Sequence, residues 1–170
     1  MRRFLVIGAL AAAVAAAVTV PGVGAATGLS TKYAVRGIET SIPTNNTSTF
    51  GGTATGSSGD LALWKASVVH QGLSNCPFGS GTGCTITGGT FSLRSSGGGT
   101  LAGTFVGGKV TPVSQGTPCG NQVFGVTGSL STNHGPGTFA ATLTHYRTSL
   151  FGSCITYFAT IKGTVTLSTT

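Results

Sequence analysis

Apolar and polar side chains alternate along the second half of the chain. Phe139, Ala141 and Leu143 interleave with Thr138, Thr142 and Thr144, and Ile155, Tyr157, Ala159, Ile161, Val165 and Leu167 with Thr156, Thr160, Lys162, Thr164 and Thr166. Successive side chains of a β-strand point to opposite faces, so this pattern predicts sheet with one dry face and one hydroxylated, wet face. A short element recurs in the same sense: Gly89-Thr90-Phe91, Gly103-Thr104-Phe105 and Gly137-Thr138-Phe139 each put Gly and Phe on one face and Thr on the other. Leu93 and Leu101 continue that apolar face. After the first twenty-five residues no segment carries a helical apolar stripe.

Turn-forming clusters divide the chain at 43–48, 56–60, 74–84, 95–99, 114–121, 133–137 and 149–153. The segments between them are rich in Thr, Val, Phe and Tyr and predict strands near 31–40, 48–56, 61–71, 85–94, 99–111, 122–131, 137–147 and 154–168. Eight antiparallel strands joined mostly by hairpins fit an all-β fold, either a closed eight-stranded barrel or a two-sheet β-sandwich. Strand glycines favour the barrel. They weaken a strand in isolation, but they permit strong coiling and let a phenylalanine lie over a neighbour's backbone.

The N-terminus changes the picture of where this domain works. Two arginines, an uncharged run from Phe4 to Val20 and small residues at Val23 and Ala25 have the three-part form of a secretory signal peptide. Cleavage after Ala25 leaves residues 26–170 as a single secreted domain with no membrane span. A retained N-terminal anchor is the alternative. The whole chain carries a net charge of +7, and loss of Arg2 and Arg3 leaves +5. That charge is scattered singly, which argues against nucleic acid as a partner and is compatible with weak attraction to an anionic cell-wall component.

Four cysteines remain, which allow three pairings. Cys76 with Cys84 as a clamp on a glycine-rich loop, and Cys119 with Cys154 as a long-range tie, is the favoured set. No C-x-x-C pair is present to suggest zinc or redox chemistry. No cofactor or metal is expected.

In the inward register, the first strand directs Tyr33, Val35, Gly37 and Glu39 to the interior, and the third directs Ala62, Trp64, Ala66, Val68 and His70. The seventh extends Phe139, Ala141 and Leu143 by His145 and Arg147. In an up-and-down barrel strands of odd order end at one rim, so Glu39, His70 and His145 gather there. With Arg147 they are the candidates for catalysis, and Trp64, His70, Phe139, His145 and Tyr157 are the candidates for ligand contact. Such a mouth suits a small apolar or hydroxylated ligand, or isomerase-like acid–base chemistry. The bland reading is a half-exposed rim on which Glu39 and Arg147 form a structural pair. It favours a non-enzymatic secreted or cell-surface barrel with a binding or structural role.

Standard chemistries are scarcely represented. Glu39 and Asp60 are the only carboxylate side chains, and they fall at opposite strand ends, unsuited to glycoside hydrolysis. Asp60 reads as a hairpin residue and His134 as a turn residue. GSGTG at 79–83 lies inside the cysteine-bounded loop with no helix after it, so it is no phosphate cradle. Serines are plentiful, but no local sequence marks a Ser-His-Asp triad. Asn45 and Asn46 match the N-glycosylation pattern, for which an exposed turn is sufficient explanation.

GGTFSL at 88–93, GTFAATLTHYR at 137–147 and FGSCITYFATIKGTVTL at 151–167 resemble small exported actinobacterial proteins of unassigned function. The likeness implies compartment and fold and carries no activity. In architecture alone the reading is similar to the barrels of allene oxide cyclases and dirigent proteins, with no catalytic motif of either matched here.

Overall fold

The computed structural model describes residues 31–40, 46–71 and 83–168. The proposed signal peptide, Asn45, Cys76 and most of the GSGTG loop lie outside the described residues.

Eight antiparallel strands follow one another: β1 (Lys32–Glu39), β2 (Thr47–Gly56), β3 (Leu61–His70), β4 (Cys84–Ser95), β5 (Thr100–Gln115), β6 (Gln122–Thr132), β7 (Gly135–Leu150) and β8 (Ser153–Leu167). Each pairs with the next, and β8 pairs with β1 from Thr166 opposite Lys32 to Thr160 opposite Ile38. The sheet is therefore a closed barrel, and the sandwich alternative is set aside. Closure leaves no long sheet edge around the barrel body.

The inward register of the sequence holds over the barrel body. Tyr33, Val35, Trp64, Ala66, Phe91, Leu93, Leu101, Leu143 and Val165 are buried, whereas Thr53, Thr55, Thr90, Arg94, Thr104 and Thr138 face outward. The outside is thus rich in hydroxyls and charges, with Leu61, Leu63 and Val106 exposed among them. Bulges keep the pattern inward where the period alone would lose it. A shift opposite Val69 and His70 separates Cys84 and Ile86 from Phe91 and Leu93, which carry the opposite parity in sequence yet share the interior.

Close backbone approach explains two glycine positions. A Cβ on Gly128 would stand 2.6 Å from the Phe139 ring, and Gly128 is the direct cross-strand partner of Phe139. On the other side of the barrel, Trp64 lies over the paired Gly37 and Gly52 and donates its indole N–H to the carbonyl of Arg36 at 2.9 Å. An indole thus crosses β2 to reach β1, which only glycine on those strands allows.

The two ends of the barrel differ. One, here the base, is closed by the tight β2–β3, β4–β5 and β6–β7 turns; His134 sits exposed in the last of these. The fully buried Tyr33, Leu93 and Leu101 lie on the base halves of their strands, each buried aliphatic side chain stabilising by about 1.5–3 kcal/mol. Asp60 falls in the β2–β3 hairpin, as its sequence suggests. It is buried at the base, accepting hydrogen bonds from the Tyr33 hydroxyl at 3.2 Å and the Ser58 hydroxyl at 2.9 Å.

The other end, the mouth, has uneven walls. β5 runs to Gln115 and β7 to Leu150, beyond the expected ends at 111 and 147: β5 continues along β6 past the end of its pairing with β4, and β7 with β8 continues as a two-stranded ribbon above the barrel body. The disulfide between Cys119 and Cys154 ties the β5–β6 turn to the start of β8, with 5.0 Å between the Cα atoms. Cys84 is also disulfide-bonded; its expected partner, Cys76, is outside the described residues.

Tyr157 departs from the interior position expected of a ligand contact. It is 65% exposed, and Ile155 is exposed beside it. The pairing of β1 with β8 stops at Thr160, so the earlier residues of β8 stand above closure, where alternation no longer distinguishes inside from outside.

Candidate functional site

The interior is not filled. A cavity of about 340 Å³ runs from the mouth toward the middle of the barrel. Ordinary protein interiors hold few voids larger than a water molecule, whereas small-molecule sites begin near 300 Å³. Trp64, Phe91, Phe105, Phe124 and Phe139 form much of its wall, with Phe105 and Phe139 edge to face at 5.0 Å. Ser48, His70 and Gln122, from strand ends at the mouth, and His145, paired with Gln122, also line it, with Thr164 further in. The cavity is therefore mostly apolar, with most of its polar groups at the mouth.

His70 is positioned by backbone on both sides. Its N–H donates to the carbonyl of Asn46 at 2.9 Å, and the next residue, Gln71, donates to Thr85 at 3.0 Å. Asn46 adopts a left-handed conformation, φ 64°, which asparagine tolerates, and so turns the chain into β2 opposite the end of β3. This brings Ser48 against the ring: Oγ is 3.3 Å from Nε2, while Nδ1 is 3.4 Å from the Gln71 carbonyl oxygen. A carbonyl only accepts, so with the proton on Nδ1 the ring donates to Gln71 and leaves Nε2 to accept from the serine hydroxyl.

Glu39 and His145 come together as the register suggested. Glu39 Oε2 lies 3.5 Å from His145 Nε2, an ion-pair distance without hydrogen-bond geometry. The Glu39 side chain is only 8% exposed. The His145 ring also packs edge-on against Phe124 at 5.2 Å. Glu39 Oε1, His145 Nε2 and Arg147 Nη1 are buried without a hydrogen-bond partner among the described residues. Each such atom costs about 1–3 kcal/mol, so three at one rim require an explanation.

Arg147 does not form the expected pair with Glu39, whose neighbour at ion-pair distance is His145. At the register shift between Tyr146 and Arg147, β8 carries the extra residue: Tyr146 faces Phe158, Arg147 faces Thr156, and Tyr157 is skipped. Arg147 is half-buried and does not line the cavity. Sequence reasoning missed Ser48 and Gln122. Continuing the inward parity from Phe50 back to Ser48 was the one available signal.

Among the described residues no three His, Cys, Asp or Glu side chains cluster closely enough to hold a metal ion. Fold and site together define the class as a closed eight-stranded antiparallel barrel with an apolar interior cavity and a polar mouth. No protein-family model, curated protein or solved structure matches the chain.

Proposed function

We propose that this protein is an exported barrel that binds a small, largely apolar molecule with a polar head group. The observation that carries this reading is the cavity of about 340 Å³, aromatic along its wall and bearing Ser48, His70, Gln122 and His145 at one end. An apolar tail buried among the phenylalanines gains about 25 cal/mol per Å² removed from water, and a hydroxyl or carboxyl head is oriented by the polar side chains. The disulfide-bonded cysteines support an oxidising, extracytoplasmic setting, in keeping with the signal-like N-terminus.

The single tryptophan of the chain, Trp64, lines the cavity and supplies the readout. Titration with a series of medium-chain alcohols and carboxylic acids should change its emission saturably. Ala141→Phe, which fills the cavity from β7, should abolish that change while leaving the barrel folded. Absence of a saturable response across the series, in protein with native circular dichroism, would overturn the reading.

A further inference from the structure

From the Ser48, His70 and Gln71 geometry we infer that the cavity also holds an acyl-transfer site, cleaving carboxylic esters whose acyl chain is apolar. This rests on the cavity being a ligand site and goes beyond it in assigning a reaction. Nucleophilic catalysis by serine needs three things: a hydroxyl facing the substrate, a base within reach of its proton, and a third group that holds the base in the correct tautomer. Ser48 is buried in the cavity wall, His70 Nε2 is 3.3 Å from its Oγ, and the Gln71 carbonyl faces Nδ1 at 3.4 Å. These distances are slightly longer than those of a tight catalytic hydrogen bond, as is usual before substrate binds. The three groups come from the start of β2 and the end of β3, and nothing in their local sequence marks them as a unit.

The chemistry balances with water as the only co-reactant. Ser48 Oγ bonds to the ester carbonyl carbon as its proton passes to His70 Nε2. The carbon–oxygen bond to the alcohol breaks, and the alcohol leaves with that proton. Water, giving a proton to Nε2 in its turn, then attacks the acyl-serine, releases the carboxylic acid and restores the hydroxyl. The aromatic wall takes the acyl chain, and the Gln71 carbonyl stabilises the imidazolium formed in each half. Gln122 and His145 line the same mouth from β6 and β7, across the barrel from Ser48 and His70.

Reaction of the full chain with an alkyl fluorophosphonate, followed by intact mass and peptide mapping, tests the assignment. We expect one adduct per chain, mapped to Ser48, absent from Ser48→Ala and formed about a hundredfold or more slowly in His70→Gln. A p-nitrophenyl ester of a short fatty acid should be turned over with the same dependence. If wild-type protein stays unlabelled at Ser48 while Trp64 emission still saturates with the alcohols, the acyl-transfer site is refuted and the binding reading stands. If neither labelling nor a saturable emission change occurs, both readings fail. Labelling at a different serine that persists in Ser48→Ala also refutes the assignment.

Discussion

Glu39 and His145 approach to 3.5 Å although their strands, β1 and β7, are not hydrogen-bonded to each other. β8 runs between them. His145 pairs with Ala159, and Glu39 lies one step beyond Ile38, whose partner on β8 is Thr160. The two side chains therefore meet above Ala159, which is buried and has only a methyl group to put in the way.

Ala159→Leu should separate that pair. The added atoms would occupy the space in which Glu39 and His145 meet, at a cost of about 1–3 kcal/mol from overpacking. For a domain of this size each kcal/mol lowers Tm by about 2–4 °C. Thermal unfolding should show that drop, and the Trp64 titration should show weakened binding of the carboxylic acids and alcohols. An unchanged Tm together with unchanged binding would contradict the crossing described here.

The disulfide between Cys119 and Cys154 closes a separation of 35 residues. Replacing both cysteines with serine should lower stability by about 2–4 kcal/mol, measured by urea unfolding. Its effect should fall on the β5–β6 turn and the upper part of β8. Hydrogen exchange should quicken there and leave the base unchanged.

At the base, Tyr33→Phe removes the hydroxyl that donates to buried Asp60. A hydrogen bond to a charged group contributes about 1.5–3 kcal/mol, so a loss in that range is expected in chemical denaturation. Because the base is remote from the cavity's polar end, ligand response at Trp64 should persist. A neutral outcome would mean that the Asp60 carboxylate has little need of Tyr33.

Gly128→Val tests the contact between glycine and aromatic ring. The new Cβ would stand 2.6 Å from the Phe139 ring and press on the carbonyl of Gly107. Backbone cannot give way as a flexible side chain does, so destabilisation of about 3 kcal/mol is expected. The companion substitution Phe139→Ala removes the ring but not the backbone contact, and it should restore only part of the loss. Full rescue would assign the whole effect to the ring.

Much of the interior was legible residue by residue. The two-residue period places Glu39, Trp64, His70 and Phe139 inward from their local sequence alone, because side-chain direction in a strand depends only on position parity. The same rule misplaced Tyr157 and Arg147. Tyr157 stands where β8 has risen above β1, and Arg147 follows a register shift. Both failures arise from how far a neighbouring strand extends and where it slips, which parity does not encode.

The eight strands, their hairpin order, a hydroxylated exterior and the odd-strand rim that carries Glu39, His70 and His145 were legible in the order of residues. These follow from local properties: alternation, turn residues and the reversal of direction at each hairpin. Three features emerge only in the folded barrel: the sheet closes around a cavity of about 340 Å³, Ser48 meets His70, and Ala159 leaves room for Glu39 to reach His145. Those contacts join residues on different strands. They are set by register, bulges and closure acting together around the whole barrel, and a shift of one residue in any strand would undo them.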